Sequence, residues 1–272
     1  MAAIDATSRV ADGAHIGDGV EIGPYCLVGS DVELKDGVRL LSHVNVTGAT
    51  TIGEGTVVYP FASLGTAPQS VHYRGEPTKL VIGPHCQIRE GVTMNIGTVS
   101  GGGITRVGTR GFFMVSSHVG HDCDIGDEVT FANNAVAGSH VSIGHNVFIG
   151  GNSAIHQSCR VGEGAMVGGV SGTDIVPFGF ALGQRAELVG LNVAGLRRRS
   201  ASRADVQRLR QAYRALFQGE GVFAKRIDKV ASAFADDPLV QKVIAFIRAG
   251  GKRPLMHPAA GPAAGNGEAD GL

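Results

Sequence analysis

A mainly β fold follows from this sequence: a parallel β-helix of hexapeptide repeats, with a small α-helical domain at the C-terminal end. Three observations lead there. An apolar residue, mostly aliphatic, recurs every sixth position from Ile4 to Leu64 and again from Val107 to Val167. Glycine is abundant, at 42 residues, and tryptophan is absent. After about residue 190 the hexad period gives way to helical spacing. A six-residue period held this long belongs to a β-helix, in which each hexad forms one flat side of a triangular coil. The aliphatic residue fills the interior, and three hexads close a coil of eighteen residues. Residues eighteen apart therefore stack along the axis at the inter-strand spacing of roughly 4.8 Å.

The β-helix is expected over 1–190, with unbroken repeats to Leu64. The phase returns at Ile82, eighteen residues later, and continues through Ile88 and Met94. The gap is read as an excursion loop over about 65–81 that skips one whole coil, punctuated by Gly65, Pro68, Gly75 and Pro77. The step from Met94 to Val107 is thirteen residues where the period expects twelve. Gly101-Gly102-Gly103 falls there without a following Gly-Lys-Ser/Thr or a helix start, so a bulge or short loop absorbing one residue is expected rather than a phosphate loop. The helical domain is expected over 191–250. Val206, Leu209, Tyr213, Leu216 and Phe217 share one helix face, with Ser202 and Asp205 as its start. Asp237-Pro238 opens another helix. The Ala/Gly/Pro-rich tail, 251–272, is expected to be disordered.

The net charge of zero hides an asymmetry. Residues 1–196 hold 10 Lys+Arg against 17 Asp+Glu, and residues 197–253 hold 14 against 5. The basic end domain suits an acidic partner or a phosphorylated ligand, and no nucleic-acid motif accompanies it. Cys26, Cys86, Cys123 and Cys159 each fall four residues after a repeat aliphatic, a slot otherwise filled by small or β-branched residues, so they read as corner fillers. No disulfide pattern appears, no N-terminal signal pattern is present, and no apolar run approaches the ~20 residues of a bilayer span. A cytoplasmic protein, not an integral membrane one, is expected.

The chemistry concentrates in one window. His118, His121, His140 and His156 lie within 39 residues. The eighteen-residue rule stacks His121-Asp122 over Ser139-His140 over His156-Gln157 along one edge of three successive coils. None occupies an aliphatic slot, so all are expected to point outward or into a groove between subunits. Zinc would need three or four ligands at 2.0–2.1 Å, and the local spacing does not favour it. One imidazole acting as general base, with the others orienting substrate, is the expected use.

These residues carry a resemblance. The hexapeptide β-helix, Gly75-Glu76-Pro77-Thr78, the GTVSGGG run at 97–103, His118-Val119-Gly120-His121-Asp122-Cys123, Ala132-Asn133-Asn134-Ala135, His156-Gln157 and the helical end domain resemble the UDP-N-acetylglucosamine O-acyltransferases that begin lipid A synthesis. The resemblance spans about residues 1–250. It implies a left-handed β-helix, a homotrimer with clefts between adjacent subunits, and no cofactor or metal. It implies transfer of a 3-hydroxyacyl group from acyl carrier protein to the 3-position of UDP-N-acetylglucosamine.

On this resemblance the general base matches His121, helped by Asp122. The oxyanion donor matches the backbone N–H of Ser139, a glycine in the family. His118, His140, His156 and Gln157 match substrate-lining positions. Asn192, Arg198 and Arg199 match uridine diphosphate contacts, and Gly169 matches a position limiting acyl length, its small size implying a long chain. The chain departs from the family pattern at Ser70 and His72 in the excursion loop, at Asn95-Ile96, at Ala194 and at Arg185. Those positions bear on acceptor, nucleotide or acyl chain. They leave open a 3-amino analogue of the sugar, although the hydroxyl is expected. The same scaffold would also suit a zinc-dependent lyase or a non-catalytic nucleotide-sugar binder.

Overall fold

The computed structural model describes residues 1–259. Strands mostly two residues long follow one another around three faces, in parallel register up to the final hairpin, and form a left-handed β-helix. The register gives the reason. Ala3 pairs with Glu21, Ile4 with Ile22, and Leu34 with Ile52, each eighteen residues on. The second residue of each pair, the repeat aliphatic, points inward. From Ile22 to Val167 these residues are essentially solvent-free. Burial of a Val, Leu or Ile side chain contributes about 1.5–3 kcal/mol, so a column of them holds the coils together. Only the first coil is looser: Val10 and Ile16 are partly exposed, and Ile4 is exposed at the open end. All four cysteines are buried and unpaired, in the corner columns expected of them.

The first face includes Glu21–Ile22, Arg39–Leu40 and Val57–Val58; the second includes Leu27–Val28, Asn45–Val46 and Ser63–Thr66; the third includes Glu33–Leu34 and Ala49–Ile52. The corner between the second and third faces departs from the sequence expectation twice. Ile82 pairs with Ile52, thirty residues back, so the excursion is a twelve-residue insertion at this corner and skips no coil. Val107 pairs with Ile82, twenty-five residues back. The second break is therefore a seven-residue insertion rather than a one-residue bulge. Both spacings mislead because a multiple of six, or nearly so, preserves the apparent phase while displacing the face.

Near the C-terminal end, Met166–Ser171 pairs with both Phe148–Ile149 of the first face and Ala154–Ile155 of the second. An antiparallel pair, Gly179–Gly183 with Glu187–Leu191, finishes the stack. Four helices follow: α1 (Val193–Arg198), α2 (Arg203–Phe217), α3 (Phe223–Ala233) and α4 (Pro238–Ala249). Ser202 and Asp205 form a reciprocal capping box on α2, and Asp237 caps α4 at Leu239 and Val240. Such caps each contribute about 1 kcal/mol. Helices α1 and α3 escaped the sequence reading. α1 is barely two turns, and α3 lacks a side-chain cap at its start.

The segment after α4 corrects another expectation. Residues 251–259 are placed, and not as a disordered tail. Asp174 donates its N–H to Pro254 O at 2.8 Å, Met256 donates to Asp174 O at 2.7 Å, and the Met256 side chain is buried. Composition alone suggested disorder, but the Leu255-Met256 pair gives this stretch something to bury. Residues 260–272, the rest of that expected tail, lie outside the described residues.

Candidate active site

Five consecutive coils turn from the second face to the third through one edge. Down that edge run the insertion at 67–78, the GTVSGGG loop, His121-Asp122, Ser139-His140 and His156-Gln157. The stacking expected from the sequence is present. His140 donates its backbone N–H to His121 O, and Ser158 to Ser139 O, both at 2.9 Å. Asp122, His140 and Ser158 all adopt the left-handed backbone region, with φ of 60°, 58° and 62°. This common conformation makes the corner and sets the direction of its side chains.

The outward orientation expected for this cluster holds only in part. His121 and Asp122 are sunk into the edge, their side chains 10% and 0% exposed. Asp122 Oδ2 lies 2.7 Å from His121 Nδ1. The carboxylate also accepts from the Thr98 N–H at 2.7 Å and from the Thr98 hydroxyl at 2.6 Å. The Asp122 backbone N–H donates to Thr105 Oγ1 at 2.8 Å. A carboxylate held by charge-assisted bonds of this kind is a fixed anion. It orients the imidazole through Nδ1 and leaves Nε2 as the nitrogen free for chemistry.

Thr98 was not singled out from the sequence, although it sits inside the GTVSGGG run. The 3-10 turn Val99–Gly101, capped by Thr98, lays the loop over Asp122. A Cβ on Gly101 would fall inside the Asp122 carboxylate. That close approach accounts for at least one glycine of the triplet, and the signal available in sequence was the composition of the loop.

His140 packs edge-on against His121, ring centroids 5.2 Å apart, and its Nδ1 is 3.7 Å from Asp122 Oδ2. Burial lowers its pKa, with Asp122 opposing. His118 is half-buried, its Nδ1 2.7 Å from Thr93 Oγ1, and burial lowers its pKa too. Among the described residues no carbonyl or side chain takes the Ser139 N–H. His156 and Gln157 lie exposed at the lower end of the edge. The Cys123 thiol, pushed up to about 12 by burial and bonded to Gly138 O, is no nucleophile.

His121, Asp122 and His140 bring ligand atoms within 4.8 Å of one another. The donor set does not suit a cation well. Both Asp122 oxygens and His121 Nδ1 are already engaged, with Thr98 and with each other.

The remaining expected site residues are elsewhere in the chain. Ser70 and His72 belong to the insertion, where the His72 N–H meets Ser70 Oγ at 3.3 Å. Asn95 is buried beneath that insertion and donates to Thr66 Oγ1 and Ala67 O. Ala194 is exposed on α1, and Arg185 is exposed in the final hairpin. Asn192 caps α1, accepting from the Gly195 N–H and donating to Gly164 O, both at 2.9 Å. Its amide thus helps hold the helix to the coil, a structural use beside the nucleotide contact that the resemblance implies.

Arg198 is exposed beside it. Arg199 lies over the Phe178 ring, and burial lowers its pKa. Both its terminal nitrogens are buried without a partner among the described residues. It lines a groove of about 300 Å³ with Glu163, Phe178, Asp205 and Asp237. That groove adjoins the corner between the third and first faces, not the His121 edge. One chain does not bring the two groups of residues together.

Gly169 lies against the last hairpin. A Cβ there would collide with the backbone carbonyl of Gly183. The close approach of two strands is a packing reason for glycine here, beside the acyl-length role that the resemblance implies.

Fold and site together define a left-handed β-helix acyltransferase, with a carboxylate-oriented histidine on a glycine-lined edge. The family described as UDP N-acetylglucosamine O-acyltransferase, domain 2, matches residues 174–256. An acyl-[acyl-carrier-protein]–UDP-N-acetylglucosamine O-acyltransferase of Azorhizobium caulinodans is 57% identical over 96% of this chain and 97% of its own. Another of the same name, from Caulobacter vibrioides, is 53% identical over 84% of this chain and 88% of its own. The solved UDP-N-acetylglucosamine O-acyltransferase of Moraxella catarrhalis superposes with a TM-score of 0.90 at 36% identity, covering 93% of this chain and 99% of that one. The chain belongs to the acyl-[acyl-carrier-protein]–UDP-N-acetylglucosamine O-acyltransferase family. The family match ends at Met256, within the segment that packs back on Asp174.

Proposed function

We propose that this enzyme moves a 3-hydroxyacyl group from the thioester of acyl carrier protein to the 3-hydroxyl of UDP-N-acetylglucosamine, opening lipid A synthesis in the cytoplasm. The observation that carries the reading is the buried His121–Asp122 pair with Nε2 left free. An alcohol is a weak nucleophile, so its proton must leave as it attacks. His121 Nε2 takes that proton while the sugar oxygen bonds to the thioester carbon. Asp122 balances the imidazolium that results. The negative oxygen of the tetrahedral intermediate meets the unengaged Ser139 N–H, a fixed donor of the oxyanion-hole kind. Collapse breaks the carbon–sulfur bond, and the departing thiolate recovers the proton from His121. No covalent enzyme intermediate, cofactor or metal enters the sequence of steps.

The two terminal nitrogens of Arg199, which have no partner among the described residues, support a diphosphate contact, since arginine binds phosphate through planar charge-assisted bonds. Its distance from the His121 edge within one chain supports a homotrimer in which adjacent copies complete each cleft. His118, His140, His156 and Gln157 would line the acceptor, and Arg198 would extend the basic surface. The insertion, with Ser70 and His72, and the hairpin, with Arg185, would border the sugar and the acyl chain. Carrier protein would dock on the basic helices, and no nucleic acid is involved. The relatives' shared name specifies O-acyl transfer, which favours the hydroxyl over a 3-amino acceptor or a lyase reaction.

Incubation with a mixed pool of 3-hydroxyacyl carrier proteins, UDP-N-acetylglucosamine and its 3-amino analogue tests the reading. Mass spectrometry should find the O-acyl product, with specificity for the hydroxyl sugar at least ~10-fold higher, unaffected by a chelator. Amide product in excess, or loss of turnover on chelation, would overturn it.

A further inference from the structure

The C-terminal strap brings a cation to the histidine edge that the mechanism above does not use. Arg253 lies 97 residues from His156 in sequence, yet its Nη2 is 2.8 Å from His156 Nδ1. Its Nε donates to the Gln157 backbone carbonyl at 3.0 Å. The neighbouring backbone is pinned on the other side, through the pairing of Pro254 and Met256 with Asp174. Asp174 is itself fixed, since its carboxylate accepts from the Arg160 N–H and Nε at 2.8 and 2.7 Å. A guanidinium on so short and well-anchored a strap has little freedom to leave the edge.

The chemistry of the contact is one-sided. Arginine carries N–H donors and no acceptor. A ring nitrogen bonded to it must offer its lone pair, so the proton of the neutral imidazole sits on Nε2. The competing arrangement is visible. His156 Nδ1 lies 3.3 Å from the Gln157 carbonyl and would donate to it in the other tautomer. Arg253 opposes that tautomer twice. It supplies the donor facing Nδ1, and it competes for the carbonyl that an Nδ1–H would seek.

We infer that Arg253 is a positioning residue, which fixes His156 as the Nε2–H tautomer and so makes it a hydrogen-bond donor toward the acceptor sugar. A ring with its proton on Nδ1 would present a bare lone pair at Nε2 and could not donate to a sugar or carbonyl oxygen. The strap thus sets the polarity of a substrate-lining group from the far end of the chain. The kinetic part of this inference rests on the acyl-transfer reading. The tautomer part does not.

Two measurements separate them. In protein labelled with ¹⁵N-histidine, long-range ¹H–¹⁵N spectra at neutral pH should give His156 the Nε2–H pattern. Arg253→Ala should shift that pattern toward Nδ1–H or a mixture, and Arg253→Lys, which keeps a cationic donor, should hold it. In the acyl-transfer assay, Arg253→Ala should lower kcat/KM about 10-fold in the parent, an ordinary coupling for hydrogen-bonded neighbours. In a His156→Ala background the same change should have under ~2-fold effect. An unchanged His156 pattern in Arg253→Ala would overturn the inference. An equal kinetic loss in both backgrounds would overturn it too, leaving Arg253 a simple fastening of the strap. If the parent transfers no acyl group while the spectra change as expected, the acyl-transfer reading fails and the tautomer assignment stands.

Discussion

Two ladders of residues climb the β-helix with the same backbone and opposite outcomes. Tyr25, His43 and Phe61 stack eighteen residues apart at one corner, with φ of 60°, 52° and 65° and ring centroids 5.0 and 5.1 Å apart. Asp122, His140 and Ser158 stack at another corner with nearly the same φ. The first ladder stands in solvent, Tyr25 61% and Phe61 66% exposed. In the second, Asp122 is fully covered. The difference is not in the coil. It is the seven-residue insertion before Val107, which folds Thr98 and Gly101 onto Asp122. A left-handed corner only aims a side chain outward. Burial and hydrogen-bond donors supplied from the coil above turn it into a site.

Breaking the second ladder should therefore cost chemistry, and the largest loss falls at its base. His121→Ala should lower kcat by ~10²–10⁴, the range of a positioned general base, with thermal stability and oligomeric state retained. Survival of activity within tenfold would remove His121 from that role. Thr98→Val tests the covering loop. It deletes the 2.6 Å hydroxyl bond to Asp122 Oδ2 but keeps the volume. A hydrogen bond to a charged group is worth about 1.5–3 kcal/mol, so kcat should fall by roughly 10-fold or more if that bond holds the dyad in line. Turnover equal to the parent would mean that the backbone N–H of Thr98 suffices.

The histidines flanking the dyad sharpen the contrast through pH. Burial lowers the pKa of His118 and of His140. The unfolded chain then binds protons that the folded chain refuses, so stability falls as pH drops through the ordinary histidine value of about 6.5. The melting temperature should decline from pH 7.5 to 5.5, and His118→Gln should flatten part of that decline. A slope unchanged by the substitution would assign it to other groups. The smallest effect belongs to the first ladder. Phe61→Asn places a residue tolerant of positive φ at an exposed corner, and should move stability by less than ~0.5 kcal/mol with kcat unchanged.

Much of this molecule was legible in its sequence because the β-helix is a local code. The hexad period reports the pairing register directly, since each coil meets only the next. The stacking of His121 over Ser139 over Gln157 followed from that arithmetic alone. The insertions were legible as breaks and loops, but not their true lengths or the face on which the chain resumes. Their lengths, twelve and seven residues, mimic the hexad phase, and only the pairing of Ile82 with Ile52 and of Val107 with Ile82 shows which face the chain rejoined. Gly169 read as an open space because sequence cannot display the Gly183 carbonyl lying against it.

What the sequence determined by itself is thus whatever repeats: the coil, its interior, and the alignment of polar residues along one edge. Its motifs added the family and the histidine at the centre. The tertiary structure decided what depends on contacts between segments of different period. It put Thr98 on Asp122, committed Asn192 to capping α1, left the two terminal nitrogens of Arg199 without a partner among the described residues, and carried Arg253 to His156. The physical reason is range. A hydrogen-bond ladder with an eighteen-residue step propagates from neighbour to neighbour and can be counted, whereas a loop or a strap finds its partner only by being folded against it.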